Sequence, residues 1–160
     1  MQTIAIGDSS TNRSGDTSKL NPIAAAITPA GRFLYVANWG AHAIAAYQAS
    51  ATTGAVTEIG GSPFSSGRWP HSVAVAPSGQ FLYTANGQSN DVSAYCIDQR
   101  SGALVPIAGA PFAAGNHPEA VTISPCERFA YVCNGFAGTI SGYRIAADSG
   151  VLQELPGSPY

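Results

Sequence analysis

The sequence predicts an all-β protein made of β-propeller blades, because one pattern of residues occurs three times at a spacing of 48 positions. The copies begin at Pro22, Pro70 and Pro118 and contain no insertion relative to one another. A β-rich repeat of this length is typical of propeller blades. The nine positions identical in all copies are Pro22/Pro70/Pro118, Pro29/Pro77/Pro125, Phe33/Phe81/Phe129, Tyr35/Tyr83/Tyr131, Asn38/Asn86/Asn134, Tyr47/Tyr95/Tyr143, Gly54/Gly102/Gly150, Gly61/Gly109/Gly157 and Pro63/Pro111/Pro159.

Each repeat is predicted to form four antiparallel strands, which the middle copy shows most clearly. Its four strand-forming runs are residues 71–76, 81–85, 91–97 and 103–107. The first run alternates with a period of two, as in a half-buried strand, and Asn86-Gly87 between the second and third favours a turn. We expect the first strand to lie innermost and the fourth to be an edge strand, where Pro106 is tolerated because it donates no ladder hydrogen bond.

The repeat also predicts the domain organisation. Residues 1–21 are interpreted as an N-terminal leader, with residues 3–6 as an outer strand at most. The predicted blades are residues 22–69, 70–117 and 118–160. The recurrent tyrosines are expected to pack between blades, with each hydroxyl group on a backbone partner.

Three blades do not close a propeller ring, since known rings contain at least about four. The sequence therefore predicts an incomplete ring or a ring closed by self-association, for instance six blades from a homodimer. The alternative is that further blades belong to a longer parent protein. The last residues, Pro159-Tyr160, stand at the same repeat position as Pro63-Phe64, which is consistent with either alternative.

Composition narrows the possible partners. Charged residues are 10% of the chain, the formal net charge is −2 and no basic patch is present, which argues against nucleic acid. Cys96, Cys126 and Cys133 do not recur between repeats, so free thiols are expected instead of a disulfide framework. No spacing suits a metal, no cofactor is expected and no run suits a membrane span. The lack of a signal peptide predicts a cytoplasmic protein, or an extracellular or periplasmic one if the chain is a fragment.

The second strands carry a recurrent tetrapeptide: Tyr35-Val36-Ala37-Asn38, Tyr83-Thr84-Ala85-Asn86 and Tyr131-Val132-Cys133-Asn134. It resembles the Tyr-Val-Thr-Asn repeat of bacterial propellers. The wider pattern includes Pro77-Ser78-Gly79-Gln80-Phe81-Leu82-Tyr83, Ser101-Gly102-Ala103-Leu104 and Gly109-Ala110-Pro111-Phe112. This pattern resembles the lactonase family of seven-bladed propellers, which includes 6-phosphogluconolactonase and fungal carboxymuconate-lactonizing enzymes. The resemblance covers residues 22–160, about three of seven blades.

The resemblance implies a site with histidine, arginine and glutamate at one mouth of the channel. Two stretches are typical there: Gly-Pro-Arg-His before an inner strand and Asn-Glu-Leu after a second strand. The corresponding residues are Arg68-Trp69-Pro70-His71 and Asn116-His117-Pro118-Glu119 for the first stretch, and Asn38-Trp39, Asn86-Gly87 and Asn134-Gly135 for the second. Pro70-His71 matches in part, Glu119 replaces the arginine, and no second-strand exit carries the glutamate.

Independently of any family, the loops at this mouth contain all three histidines and both tryptophans of the chain. The residues expected at the mouth are Trp39, His42, Arg68, Trp69, His71, Asn86, Asp91, Asn116, His117 and Glu119. Opening a lactone needs a general base, for which His71 and Glu119 are the candidates. Arg68 and His117 are candidates for holding a carboxylate or phosphate, and Trp69, Asn116, Trp39 and Asn86 for further ligand contacts.

Each candidate also has a structural interpretation. His71 at a strand start is often a rim residue bonded to backbone, and Glu119 beside His117 forms a surface pair of little energetic value. Arg68 and Trp69 are expected to stack on each other at the surface. We therefore predict a non-catalytic binding or assembly module, with a small sugar acid as its candidate ligand. The alternative is a hydrolase that opens the ring of a sugar-acid lactone.

Overall fold

The computed structural model describes residues 21–160, and these contain strands and turns but no helix. The predicted outer strand at residues 3–6 lies outside the described residues. The first sheet contains β1 (Pro22–Ile27), β2 (Phe33–Asn38), β3 (Ala43–Ala49), β4 (Val56–Glu58) and β5 (Phe64–Ser65). The second contains β6 (Pro70–Val75), β7 (Phe81–Asn86), β8 (Asp91–Ile97), β9 (Leu104–Pro106) and β10 (Phe112–Ala113). The third contains β11 (Pro118–Ile123), β12 (Phe129–Asn134), β13 (Thr139–Ile145) and β14 (Leu152–Glu154).

All strand pairs are antiparallel, and the sheets follow chain order from the inner to the outer strand. The prediction of three four-stranded blades is confirmed. In the first two sheets the outer position is shared by two short strands, so that β4 and β5 both pair with β3 and β9 and β10 both pair with β8. Pro63 and Pro111 stand just before β5 and β10 in the sequence, where the outer segment is interrupted.

The sheets stack like the blades of a propeller, with the inner strand β6 lying between β1 and β11. Apolar side chains from facing sheets form the core. Between blades 1 and 2 the buried residues are Phe33, Tyr35, Ala37, Ile44, Ala46, Val73, Leu82, Tyr95, Ile97 and Leu104. The equivalent cluster between blades 2 and 3 includes Phe81, Tyr83, Val92, Val121, Val132, Tyr143, Ile145 and Leu152. Each blade is therefore stabilised mainly by its neighbours, as in other repeat proteins.

Four of the six recurrent tyrosines join neighbouring blades as predicted, whereas the buried Tyr47 hydroxyl group has no hydrogen-bond partner in the described chain. The Tyr83 hydroxyl group donates to the Gly150 carbonyl oxygen at 2.7 Å, and the Tyr143 hydroxyl group donates to the Ala113 carbonyl oxygen at 2.6 Å. Tyr35 and Tyr95 make the equivalent bonds between blades 1 and 2. Burial raises the pKa of Tyr95 to about 12, because the interface disfavours its ionised form.

The three cysteines are free, as the sequence analysis expected. Cys96 is half-buried against the core between blades 2 and 3. Cys133 is exposed, although the equivalent Ala37 and Ala85 are completely buried. The difference arises because blade 3 has no following blade among the described residues. Within residues 21–160, no helix is long and apolar enough to span a membrane.

Candidate functional site

A β-bulge lies at the start of each inner strand. The register between inner and second strand shifts between Pro22 and Ala24, and the same shift occurs one and two repeats later. The residue skipped by the pairing is Ile23 in blade 1, His71 in blade 2 and Glu119 in blade 3. Bulges redirect a side chain away from the regular alternation of a strand. Three chemically different side chains are thus presented at one repeat position.

The residue before each inner-strand proline adopts a left-handed backbone conformation. Its φ angle is 56° at Trp69 and 59° at His117, which is uncommon for residues other than glycine. Hydrogen bonds hold these residues on both sides. The Trp69 N–H donates to His42 Nδ1 at 3.2 Å, and the Trp69 carbonyl oxygen accepts from the Gly87 N–H at 2.8 Å. His42 is half-buried and therefore positions Trp69.

His117 is held by the equivalent pair of bonds. Its N–H donates to Asn90 Oδ1 at 2.9 Å, and its carbonyl oxygen accepts from the Gly135 N–H at 2.8 Å. A side chain earlier in the same blade thus fixes the residue that immediately precedes the inner strand of the next blade. In both cases the surrounding bonds offset the cost of the left-handed conformation, which is about 1 kcal/mol or more.

Glycines behind two of the bulges make room for the bulged side chains. A Cβ atom at Gly87 would lie 2.6 Å from His71 Cδ2, and a Cβ atom at Gly135 would collide with the Glu119 carboxylate. In blade 1 the same position holds Trp39, while the bulged residue is the exposed Ile23. The mouth therefore differs between blades through a paired change: glycine with a polar bulge residue, or tryptophan with an apolar one.

Five ring side chains lie at the mouth in two groups. The indoles of Trp39 and Trp69 stack with ring centroids 4.9 Å apart and planes at 22°. The imidazoles of His71 and His117 lie 5.0 Å apart and are tilted by 52°. Phe136, which is 72% exposed, stacks on His117 at 3.9 Å. Trp69 therefore stacks on Trp39, whereas the surface interpretation had expected it to stack on Arg68.

The imidazoles retain unused hydrogen-bonding capacity. His71 Nε2 is buried and has no hydrogen-bond partner. His117 Nδ1 lies 3.4 Å from Glu119 Oε1, within ion-pair distance, but the contact lacks hydrogen-bond geometry and Nδ1 also remains without a partner. Burial and the nearby His117 lower the pKa of His71, while the Glu119 charge opposes this shift. Burial is the larger cause, so His71 is neutral at neutral pH and able to accept a proton.

A shallow cleft of about 740 Å³ adjoins this group of rings. It is lined by Asn21, Pro22, Ile23, Trp39 and His71. Its size is in the range of small-molecule sites, and its lining combines apolar surface with one imidazole. Within residues 21–160 no group of His, Cys, Asp and Glu is arranged to hold a metal ion.

The other predicted site residues divide into two kinds. Asn86 is completely buried, and its amide donates to Asp91 Oδ1 at 2.6 Å and to Ser93 Oγ at 2.9 Å. Ser93 in turn accepts from the Gly67 N–H, so this network supports the loop behind the mouth. Arg68 and Asn116 are exposed in the loops that lead to Trp69 and His117. The structure therefore brings together Trp39, Trp69, His71, His117 and Glu119 of the predicted set.

Sequence reasoning missed Phe136, Ile23 and the two mouth glycines. Phe136 follows the second strand of blade 3, in the same loop position as Gly40 and Gln88, so an aromatic change at that repeat position was a usable signal. Gly87 and Gly135 replace Trp39 after the recurrent asparagine, which was visible as well. The side chains that these glycines accommodate could not be inferred, because the bulged residues Ile23, His71 and Glu119 have no chemistry in common that would mark a bulge.

These observations define a partial β-propeller with an aromatic and histidine-bearing mouth. Residues 4–113 match the family described as "Lactonase, 7-bladed beta-propeller", so the chain belongs to that family. The resemblance inferred from the repeat is thereby confirmed. No curated protein sequence matches the chain.

Solved structures share the blade arrangement. A protein of Bacteroides fragilis provisionally assigned as a 6-phosphogluconolactonase superposes with a TM-score of 0.79 at 19% identity, over 86% of this chain and 38% of that one. A similarly assigned protein of Bacteroides uniformis gives 0.80 at 17% identity, over 89% and 41%. The periplasmic gluconolactonase of Pseudomonas aeruginosa gives 0.65 at 23%, over 84% and 41%. These likenesses show the fold alone, and the chain spans about two fifths of each protein.

Proposed function

We propose that this chain is a binding module of the lactonase family, whose mouth holds a small sugar acid or its lactone. The observation that carries the proposal is the ring cluster with two imidazole nitrogens that lack hydrogen-bond partners. A buried polar atom without a partner costs about 1–3 kcal/mol, and a ligand hydroxyl group would satisfy it, because a hydroxyl can donate as well as accept. The stacked indoles add a flat apolar surface beside the cleft, which suits the carbon face of a sugar ring.

Binding is favoured over hydrolysis because the mouth is poor in cationic groups. Opening a lactone requires donors that stabilise the oxyanion as well as a base. His71 is a suitable neutral base, but Glu119 next to it is negative and 51% exposed. Arg68 is exposed, and its contacts within the described chain do not involve His71 or His117.

The binding proposal is tested by titrating gluconate and following tryptophan fluorescence and heat. We expect saturable quenching, and a loss of affinity of at least about tenfold in His71→Ala and in Trp69→Ala, each removing one contact of ordinary strength. Arg100→Ala is the matched control, because Arg100 lies exposed in the β8–β9 turn at the opposite end of the strands. Absence of saturation at millimolar gluconate would contradict the proposal.

Lactone hydrolysis is the second candidate, supported by family membership and by the lowered pKa of His71. A neutral histidine within reach of bound lactone can remove a proton from the attacking water. Proton release from glucono-δ-lactone should then exceed the spontaneous rate and fall at least about tenfold in His71→Ala, a typical loss for a general base. If gluconate binds but the lactone releases no excess protons, the hydrolysis proposal is wrong and the binding proposal stands.

A further inference from the structure

One side chain at the mouth clamps the junction between blades 1 and 2. Residues 66–69 lead from β5 to β6, and we call them the connecting segment. The Ser66 N–H donates to the His42 carbonyl oxygen at 3.0 Å, and the Trp69 N–H donates to His42 Nδ1 at 3.2 Å. The two N–H groups between them donate to serine hydroxyl groups of blade 2, both at 3.0 Å. His42 therefore holds both ends of the connecting segment.

Of these four acceptors, the His42 Nδ1 atom is the one that changes with pH. Carbonyl oxygens and serine hydroxyl groups accept hydrogen bonds in acid as well as at neutral pH, whereas an imidazole nitrogen accepts only while it carries no proton. In the imidazolium form both ring nitrogens are donors. The Nδ1–H group would then face the Trp69 N–H group, so protonation replaces the hydrogen bond with a contact between two donors.

The following junction makes the same contact with a residue that does not titrate. Asn90 lies one repeat after His42, and its Oδ1 accepts from the His117 N–H at 2.9 Å. Its carbonyl oxygen accepts from the Ala114 N–H at 3.0 Å. His42 and Asn90 also share the left-handed conformation, with φ angles of 54° and 58°. Of the two described junctions, only the one between blades 1 and 2 thus depends on a histidine.

Trp69 is the residue that the histidine bond holds in a disfavoured conformation. Its φ angle of 56° is uncommon for a residue with a bulky side chain and persists only where the surroundings enforce it. In this conformation its indole stacks on Trp39, with ring centroids 4.9 Å apart. Because the backbone angles set the direction of the side chain, relaxation of Trp69 would separate the two indoles.

We propose that His42 is a proton-sensitive latch of the mouth. Its neutral form holds Trp69 against Trp39, and its protonation releases Trp69 and opens the stack. Both blades that form this junction are described, and the latch acts in the absence of any ligand. It therefore stands or falls independently of the proposed binding function.

The neighbouring groups that also carry or change charge determine which controls are needed. Three buried tyrosines lie on the strands around the junction, and burial raises the pKa of each: Tyr35, Tyr47 and Tyr95. The connecting segment and the starts of β6 and β8 add three further groups: Arg68, His71 and Asp91. Within residues 21–160 none of these groups forms an ion pair with His42. His71 is the other imidazole among them, so the test must separate its protonation from that of His42.

Circular dichroism tests the latch, because Trp39 and Trp69 are the two tryptophans of the chain. Stacked indoles couple and give paired bands of opposite sign, which separated indoles do not. A buried donor that loses its acceptor shifts such an equilibrium by about fivefold to more than a hundredfold, so the paired bands should lose about half of their amplitude or more. The loss should occur between neutral pH and about pH 5, where histidines titrate. Bands that keep their amplitude down to about pH 5 would overturn the proposal.

Three variants assign the effect to a particular histidine. His42→Asn supplies the acceptor that Asn90 supplies at the following junction, so the paired bands should persist at about pH 5. His42→Ala supplies no acceptor at any pH, so its bands should already be weak at neutral pH. His71→Gln is the matched control and should keep the pH dependence of the unchanged protein. The latch would be wrong if the acid change survived in His42→Asn or disappeared in His71→Gln.

Two further measurements separate the latch from other effects of acid. The peptide circular dichroism band should stay constant over the same pH range, and its loss together with the paired bands would indicate acid unfolding and contradict a local latch. An NMR titration should show the His42 imidazole becoming protonated as the bands weaken. Full protonation of His42 with intact bands would show that the bond to Trp69 does not hold the stack.

Discussion

The interfaces between blades and the mouth of the propeller are built from the same repeat, but they differ in how faithfully it is copied. At the interfaces, Tyr35 and Tyr83 make the same hydrogen bond to glycines 67 residues later. At the mouth, one repeat position holds Ile23, His71 and Glu119. The tyrosine and glycine positions that form these bonds are therefore kept identical, because each interface uses the same contact, whereas the mouth positions differ.

Under the proposed binding function, this contrast places ligand specificity at the bulged positions of the mouth. The bulge at the start of each inner strand has the same geometry in all three blades and presents a different side chain in each. Specificity is thus changed by side-chain replacement on a fixed backbone. Mutations at the interface should therefore lower the free energy of unfolding. Mutations at the mouth should mainly change the pKa of His71 and the affinity for the proposed ligand.

The largest effect is expected at the glycine of the interface. Gly102→Ala puts a Cβ atom 2.5 Å from the Phe33 ring and strains a φ angle of +78°, so we expect a loss of about 3 kcal/mol in the free energy of unfolding. Gly54→Ala is the matched control, with a φ angle of +70° and no atom within 4 Å. In dilute solution it should lose only about 1 kcal/mol from backbone strain. Equal losses in urea unfolding would show that the Phe33 contact contributes nothing.

A smaller effect is expected from the interface hydroxyl groups. Tyr83→Phe leaves the buried Gly150 carbonyl oxygen without its donor and should lower the free energy of unfolding by about 1–2 kcal/mol. Tyr131→Phe changes the same repeat position where no acceptor lies within the described chain. In dilute solution it should stay within about 0.5 kcal/mol of the unchanged protein. Thermal unfolding of both variants checks the difference, and a larger loss in Tyr131→Phe would contradict it.

The smallest effect is expected at the mouth and concerns pH. Because the pKa of His71 is lowered in the folded protein, the unfolded chain binds the proton first as the pH falls below about 6.5. His71 therefore costs stability on acidification from that value down to its folded pKa, and His71→Gln should reduce the fall in Tm between neutral pH and about pH 5.

An NMR titration of the His71 imidazole checks the cause of this effect. Its midpoint should lie below that of an unfolded histidine, and His117→Gln should raise it by removing a nearby positive charge. A midpoint at the ordinary value would mean that burial does not affect this ring. Glu119→Gln should shift the midpoint in the opposite direction, since the carboxylate favours the protonated form.

The sequence alone determined the number of blades, the order of strands in each and the packing role of the tyrosines. These features are local or periodic: alternation specifies strands, turn residues separate them, and the spacing of 48 residues repeats the pattern. Membership of the lactonase family followed from the same positions. The sequence also placed Trp39, Trp69, His71, His117 and Glu119 at one mouth.

Only the tertiary structure decided how these residues meet. The stack of Trp39 on Trp69 and the tilt of His71 against His117 join side chains from different repeats, so they depend on the angle between blades. The bulges and the left-handed residues recur with the repeat, but no residue type marks them, and hydrogen bonds from neighbouring loops hold Trp69 and His117 in the left-handed conformation. The different surroundings of the turn glycines became visible for the same reason: the glycine itself recurs in all three blades, but a phenylalanine ring lies against Gly102 and Gly150 and nothing lies within 4 Å of a Cβ atom at Gly54.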